Sequence, residues 1–384
     1  MKLASRVKKV PPSGIRKFFD IVERMEDVIS LGVGEPDFVT PWHIREACIY
    51  AIEQGYTMYT SNYGLLELRE EISEYIKRNF KVEYNPENEI LVTVGVSEGL
   101  DLGIRALVDI GDEVIIHEPS YVAYKPCVIF SEGKVMTLET KPEEEFRITP
   151  EELEKKITPK TKILIMNYPN NPTGATMEKK HLEEIADVVV EHDLFVISDE
   201  IYAKLTYNGK HVSFASLNGM KERTLLLNGF SKAFAMTGFR IGYACANKEL
   251  IEAMMKIHQY SMLCASIASQ KAAIEALKHG EKEVNSMVEQ YNQRRRFIVK
   301  RLNEIGLECF EPKGAFYAFP SIKITKLSSE EFSERLLKEE KVAVVPGNAF
   351  GKCGEGFIRC SYANSIENID EALQRIERFV NKNG

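Results

Sequence analysis

The sequence predicts an α/β fold, in which a large domain with a mostly parallel central sheet is followed by a smaller α+β domain. The first observation is a set of near-continuous apolar runs, which are typical of strands buried on both faces. These runs lie at residues 90–95, 113–117, 134–138, 162–166, 194–198, 224–228 and 239–246. The second observation is that helix-like segments separate several of the runs, an alternation typical of parallel sheets. These segments lie at residues 98–109, 121–131 and 178–192.

The third observation is a change of pattern towards the C-terminus. Two long helical segments are predicted at residues 247–278 and 282–304. Shorter elements follow, with strands at 315–319, 342–346 and 357–362 and helices at 328–340 and 365–381. We therefore predict an N-terminal arm with part of the small domain at residues 1–50, the large domain at 51–290, and the small C-terminal domain at 291–384.

Two helices are predicted ahead of the large domain. The first spans Ile15 to Met25. The second begins at Thr40-Pro41, with Thr40 as the N-cap and Pro41 at the first helical position. Gly55 is expected to end this second helix, because glycine commonly follows the last helical turn.

Composition narrows the classes of function. The 384 residues are 44% hydrophobic and 28% charged, as in an ordinary globular protein, and the formal net charge of −7 argues against a nucleic-acid partner. No apolar run approaches the length of a membrane span, and Met1 to Val10 lacks an apolar signal region, so we expect a cytoplasmic location. The seven cysteines are widely spaced without a CxxC pair, so we expect neither a disulfide framework nor a metal site.

The segment from Gly229 to Gly242 contains the most reactive candidate, Lys232, among apolar and aromatic neighbours. An amine beside apolar groups is easily neutralised, and a neutral amine attacks an aldehyde to form a Schiff base. Ser231 and Arg240 would supply a hydroxyl and a cation for a phosphate ester. An aldehyde and a phosphate on one ligand describe pyridoxal 5'-phosphate. A buried lysine stem with its charged head in solvent explains the segment equally well.

Three further candidate residues lie at the ends of predicted strands, and a fourth lies inside one. Asn171, in Asn171-Pro-Thr-Gly174, follows one strand, and Asp199 and Tyr202 follow the next, where open α/β sheets bind ligands. A plain turn and a helix N-cap are the simpler explanations of these residues. Arg359 lies inside an apolar strand, where its charge needs a partner such as a ligand carboxylate.

A fifth group lies between a predicted strand and a helix. The backbone amides of Val96, Ser97 and Glu98 are placed to hold an anion at the helix N-terminus.

Taken together, these motifs resemble the class I/II aminotransferases of fold type I, which depend on pyridoxal phosphate, over nearly the whole chain. The resemblance implies that Lys232 forms the Schiff base and carries the proton between substrate and cofactor. It implies that Asp199 pairs with the pyridinium nitrogen, that Asn171 and Tyr202 bind the phenolic oxygen of the ring, and that Tyr121 stacks on the ring face.

The resemblance also implies how the remaining groups bind. The backbone of Val96, Ser97 and Glu98, together with Ser231 and Arg240, would hold the phosphate.

The substrate α-carboxylate would be bound by Arg359, helped by Gly34 and Asn171. The family is homodimeric, and Tyr59 resembles the tyrosine that reaches the phosphate of the neighbouring subunit.

Two departures from the family pattern bear on activity. Gly229 stands where some members have a second phosphate-binding serine, and residues 259–269 lack the arginine of dicarboxylate-specific members. The apolar arm Ser13–Phe19 resembles the lid of members with aromatic or broad substrates. We therefore expect hydrophobic or aromatic amino donors with 2-oxoglutarate as acceptor. Aspartate specificity, a carbon–sulfur β-lyase on the same fold and a non-catalytic regulatory domain are the alternatives.

Overall fold

The computed structural model describes residues 3–12 and 25–383. Most of the predicted first helix, Ile15–Met25, and the arm Ser13–Phe19 lie outside the described residues. The helices of the described part are α1 (Ser5–Lys8), α2 (Trp42–Glu53), α3 (Leu66–Phe80), α4 (Gly95–Leu107), α5 (Tyr124–Phe130), α6 (Pro150–Glu154), α7 (Lys179–Glu191), α8 (Lys248–Ser261), α9 (Ile267–His279), α10 (Glu281–Ile305), α11 (Ser329–Glu340) and α12 (Ile366–Asn383). Its strands are β1 (Ile29–Ser30), β2 (Ile90–Thr93), β3 (Glu113–Glu118), β4 (Lys134–Glu139), β5 (Thr161–Asn167), β6 (Phe195–Asp199), β7 (Thr224–Gly229), β8 (Gly242–Cys245), β9 (Tyr317–Ala318), β10 (Val342–Ala343), β11 (Val345–Pro346) and β12 (Ile358–Ser361).

The centre of the molecule is a seven-stranded sheet in the order β2-β8-β7-β6-β5-β3-β4. The strands β4, β3, β5, β6 and β7 are parallel, and β8 is antiparallel to both β7 and β2. The predicted mostly parallel sheet is therefore confirmed. Because parallel strands end at the same edge, the segments that follow β3, β5, β6 and β7 meet there.

Successive side chains of the central strands enter different layers of the core. Ile163 and Ile165 of β5 pack on one face of the sheet, and Leu164 and Met166 pack on the other. This alternation explains why the strands read as continuous apolar runs, since both faces are covered.

The C-terminal part contains two small sheets. Strands β11, β12 and β9 form an antiparallel sheet, which carries Arg359 in β12. Strand β1 pairs in parallel with β10, with Ile29 opposite Val342, so residues from both ends of the chain join in one layer. This layer places the loop after β1 beside the strand that carries Arg359, because Ser361 N donates to Leu31 O at 2.7 Å.

Several details differ from the sequence predictions. The predicted strand 342–346 is two strands, β10 and β11, which belong to different sheets. Thr40 is not a helix N-cap, because its hydroxyl donates to Ala235 O at 2.5 Å and α2 begins only at Trp42. The predicted helix 247–278 is two helices, α8 and α9, since Leu263 has a left-handed φ of 70° that no α-helix continues through. Helix α3 was missed, although Leu68, Ile72 and Ile76 recur at the spacing of one helical face.

The described helices include none long and apolar enough to cross a membrane.

Candidate active site

A cavity of about 490 Å³ opens at the edge where the parallel strands end. Of the thirteen residues predicted for the site, eleven line this cavity. They are Gly34, Val96, Ser97, Tyr121, Asn171, Asp199, Tyr202, Ser231, Lys232, Arg240 and Arg359. They come from distant parts of the chain, and the strand order of the sheet brings them together.

Lys232 lies on the floor of the cavity, just after β7. Its Nζ donates to Gly34 O at 2.6 Å and lies 5.8 Å and 5.7 Å from the ring centroids of Tyr202 and Phe316. Burial lowers the pKa of Lys232 to about 8, and the Glu35 carboxylate only partly opposes this effect. A substantial fraction of the amine is therefore neutral near pH 8, as attack on an aldehyde requires.

Asp199 ends β6 and is held from three directions. Its Oδ2 accepts from Tyr124 Oη at 2.8 Å, its Oδ1 accepts from Ile201 N at 3.2 Å, and its carbonyl accepts from Asn167 Nδ2 at 2.9 Å. Burial raises the pKa of Asp199 to about 6, and the hydrogen bond from Tyr124 opposes the shift. A cationic partner such as a protonated ring nitrogen would favour the ionised carboxylate, so the site fits a pyridinium.

Arg359 is 4% exposed and also lines the cavity. Its Nη1 donates to Asn171 Oδ1 at 2.9 Å and its Nη2 donates to Gly32 O at 2.6 Å. Neither acceptor is charged, and the buried Nε has no hydrogen-bond partner. The second N–H of each Nη is left for a ligand, and a carboxylate is suited to this guanidinium because it accepts two parallel hydrogen bonds.

One group of lining residues forms a candidate anion site. Val96 and Ser97 lie in the first turn of α4, where the backbone amides have no partner within the helix. Ser231 and Arg240 line the same cavity, and a Cβ on Gly95 would lie only 2.6 Å from Arg240 Nη2. Amides, a hydroxyl and a guanidinium together fit a phosphate group.

Gly229 has a steric reason to be glycine. A Cβ at this position would lie 2.9 Å from the Cα of Gly242, on the neighbouring strand β8. Gly242 is restricted in turn, because its Cβ would lie 2.8 Å from Val96 N. The close approach of these backbones leaves no room for the serine that some family members have at position 229.

Two predicted residues do not line the cavity. The Glu98 side chain turns away from it: Oε1 lies 2.7 Å from His258 Nδ1 and Oε2 accepts from Val94 N at 2.5 Å. Tyr59 is 79% exposed and lies outside the cavity of its own chain.

Three cavity residues with hydrogen-bonding roles were missed from the sequence. Tyr124 holds Asp199, Asn167 holds both the Asp199 carbonyl and the Asn171 amide, and Tyr317 Oη lies 2.8 Å from Tyr202 Oη. Asn167 and Tyr124 are close in sequence to predicted site residues that follow strands, and this position could have identified them as site residues. Tyr317 offered no such signal, because it lies within an apolar run far along the chain.

Comparisons with known proteins give one consistent answer. A family model described as aminotransferase class I and II matches residues 26–376. An aspartate aminotransferase of Pyrococcus abyssi is 50% identical over 383 residues, which cover 99% of this chain and 98% of that protein. Aromatic-amino-acid aminotransferase 2 of Thermococcus litoralis is 48% identical over 383 residues, with the same coverage. A crystal structure of an aromatic aminotransferase from Pyrococcus horikoshii OT3 has a TM-score of 0.91 and 50% identity, covering 95% of this chain and 99% of that one.

Proposed function

The chain belongs to the class I and II aminotransferase family, and from this premise we propose how its own residues act and which substrates it prefers. As a member, it is a pyridoxal-phosphate-dependent transferase that moves an amino group between amino acids and 2-oxo acids. The observation that carries our proposal is the distribution of charge around the cavity. Among the described residues that line the cavity there are three cations, Lys232, Arg240 and Arg359.

Arg359 is the proposed site for the α-carboxylate. Each of its two Nη groups keeps a second N–H beside the one already donated, and together these offer the planar pair of donors that a carboxylate accepts. Asn171 Oδ1 and Gly32 O keep the guanidinium in place before substrate arrives, so little side-chain freedom is lost on binding.

The proposed cofactor site combines the candidate anion site with the carboxylate of Asp199. The first turn of α4, Ser231 and Arg240 would hold the phosphate, and Asp199 would hold the ring nitrogen in its protonated form. When bound, pyridoxal phosphate supplies an aldehyde that takes up the amino group and a ring that withdraws electrons from the substrate Cα. Tyr121, which lines the cavity, is the proposed stacking partner of the ring, and Asn171 and Tyr202 are the proposed partners of its phenolic oxygen.

Lys232 is the proposed acid and base. Its Nζ lies within the cavity, and its lowered pKa means that the neutral form can accept a proton from the substrate Cα near pH 8. The protonated amine can then donate this proton back, because its hydrogen bond to Gly34 O keeps Nζ in place within the cavity.

The charge distribution also supports a preference for neutral side chains. Arg359, Lys232 and Arg240 each have a proposed task, so the described walls hold no further cation for a second carboxylate. The remaining lining includes the rings of Tyr121, Tyr124 and Tyr317, which favour apolar or aromatic groups. We propose hydrophobic or aromatic amino acids as donors, with 2-oxoglutarate as the acceptor that the family resemblance implies.

Aspartate specificity is the second candidate, because the relative in Pyrococcus abyssi is an aspartate aminotransferase. Single-turnover reactions of the holoenzyme with a panel of amino acids, read by cofactor absorbance, distinguish the candidates. We expect phenylalanine, tyrosine and leucine to react with higher efficiency than aspartate or glutamate. Aspartate as the most efficient donor would contradict the proposed preference, and formation of pyruvate and sulfide from cysteine without a pyridoxamine form would indicate a β-lyase.

We further propose that the enzyme is a homodimer with shared sites. Tyr59 is preceded by exposed apolar residues on α2 and in the loop after it, including Trp42, Tyr50 and Met58. A large exposed apolar surface of this kind is typical of a protein interface. Gln270 anchors the segment after Tyr59 by donating to Thr60 Oγ1 at 3.1 Å, so the tyrosine projects from a fixed support.

The proposed cytoplasmic location rests on the sequence composition.

A further inference from the structure

Tyr317 is a buried aromatic residue that contacts both Arg359 and Tyr202, and so far it has been described only as part of the aromatic lining of the cavity. It lies in β9, which pairs with the strand of Arg359, and only 1% of it is exposed. We propose that Tyr317 is a positioning residue with two tasks, in which its ring supports Arg359 and its hydroxyl orients Tyr202. This inference rests on the proposed roles of Arg359 and Tyr202 and extends them to a residue that touches both.

The first step concerns the ring. The guanidinium carbon of Arg359 lies 4.5 Å from the centroid of the Tyr317 ring and 4.9 Å from that of Phe350. An arginine over an aromatic face is attracted by the ring, and more strongly when water is excluded. Because both acceptors of Arg359 are neutral, these two rings supply the negative potential that a carboxylate neighbour would otherwise provide.

The second step concerns the hydroxyl. Tyr317 Oη lies 2.8 Å from Tyr202 Oη, and either oxygen can donate. Both side chains are buried, so this contact restricts the direction in which the Tyr202 hydroxyl points. If Tyr317 donates, the proton of Tyr202 is free for an acceptor in the cavity.

The third step concerns the neighbouring loop. A Cβ on Gly34 would lie 2.6 Å from Tyr317 Oη, so this position accepts only glycine without a shift of the tyrosine. The carbonyl of Gly34 accepts the hydrogen bond of Lys232 Nζ. Tyr317 therefore contacts Arg359, Tyr202 and the loop that binds Lys232, and a buried side chain in this place can position all three.

Two substitutions separate the tasks. Tyr317→Phe keeps the ring and removes the hydroxyl, and pentafluorophenylalanine at position 317 keeps the shape but reverses the charge distribution of the ring. Phe350→Leu is the matched control, because it removes the other ring beside Arg359 and leaves the hydroxyl contact of Tyr202 intact. Tyr317→Leu, which removes both the ring and the hydroxyl, is included if the variant folds. The test does not depend on it, because the other two variants at position 317 nearly keep the shape of the side chain.

Two measurements on the holoenzyme and the cofactor-free protein are needed besides activity. The first is binding of two non-reacting carboxylates, 3-phenylpropionate and maleate, followed by cofactor absorbance. The second is the dissociation constant of pyridoxal phosphate together with the pH midpoint of its absorbance.

We expect Tyr317→Phe to change cofactor affinity and the pH midpoint, with carboxylate binding within about twofold of wild type. The fluorinated ring should show the same cofactor effects and also weaken carboxylate binding about 30-fold, the size of a desolvated cation–π contact. Phe350→Leu should weaken carboxylate binding alone.

An unchanged cofactor affinity and pH midpoint in Tyr317→Phe would overturn the role of the hydroxyl. Carboxylate binding that is equal in Tyr317→Phe and the fluorinated protein would overturn the role of the ring. Failure of the underlying function is distinguishable, because Arg359→Lys would then bind both carboxylates as well as wild type does.

Discussion

Arg359→Lys is the sharpest test of the proposed carboxylate site. The change keeps a positive charge but replaces a planar group with several donors by a single ammonium. In the structure, Nη1 and Nη2 each donate one N–H, to Asn171 Oδ1 and Gly32 O, and each keeps a second N–H for a ligand. One ammonium cannot keep both of these contacts and also bind a carboxylate at two points.

The expected loss follows from the contacts that disappear. One hydrogen bond between a charged donor and a carboxylate contributes about 1.5–3 kcal/mol. Losing the second point of attachment should therefore weaken binding of amino and 2-oxo acids by about 2–3 kcal/mol, or about 30–150-fold at 1.4 kcal/mol for each factor of ten. Cofactor affinity should hardly change, since Arg359 and Arg240 lie at separate places in the cavity.

The assay is a titration of the holoenzyme with amino and 2-oxo acids, followed by cofactor absorbance. Phenethylamine, which has the aromatic side chain but no carboxylate, is the control ligand. Arg294→Lys is the matched control variant, because Arg294 also holds a carboxylate with two contacts, 2.8 Å and 2.9 Å from the Asp37 oxygens, away from the cavity lining. Equal weakening of phenethylamine and phenylalanine in Arg359→Lys would refute the assignment.

Three further predictions address the lysine, the aspartate and the interface. Lys232→Ala should lower turnover by at least about 10²–10⁴-fold, the usual contribution of a positioned acid or base, and borohydride reduction followed by peptide mapping should label Lys232, not another lysine, in the wild-type enzyme. Because the folded pKa of Asp199, about 6, lies above its unfolded value, the free energy of unfolding of the cofactor-free protein should fall by about 2 kcal/mol as the pH rises from 4 to 7. Urea unfolding should show this component lost in Asp199→Asn, and identical pH slopes in both proteins would contradict it. Tyr59→Ala and Lys232→Ala chains, each impaired alone, should regain about a quarter of the wild-type sites when mixed and allowed to exchange, because random pairing gives half heterodimers with one native site each. Exchange without recovery of activity would exclude a role for Tyr59 in the partner site.

The sequence by itself determined the order of elements and the type of sheet. Residues such as Ile163 to Met166 form a continuous apolar run, and only a strand covered on both faces requires that pattern. Polar residues directly after such strands, among them Asn171 and Asp199, could therefore be placed at one edge. Because open α/β sheets bind ligands at the ends of their parallel strands, these residues could be predicted to lie at a ligand-binding edge, and the family resemblance implied that they form one site.

Tertiary structure decided what depends on contacts between distant segments. The hydroxyl of Thr40 caps no helix because Ala235 O, far along the chain, offers a better partner. Gly229 is glycine because strand β8 brings Gly242 within contact distance. The local sequence around Gly229 does not show that this other strand lies so close. The pairing of Tyr317 with Tyr202 and its position beside Arg359 likewise require three separate segments to pack together.

The pKa values of the site also belong to the tertiary structure. The sequence shows that Lys232 has apolar neighbours and that Asp199 ends a strand, but the pKa of each depends on how much water the fold removes from it. Burial lowers the pKa of Lys232 to about 8 and raises that of Asp199 to about 6, so the difference between the two pKa values becomes smaller. Desolvation is a property of the assembled cavity, so residue types and spacing predicted an easily neutralised Lys232 amine but not the size of either pKa shift.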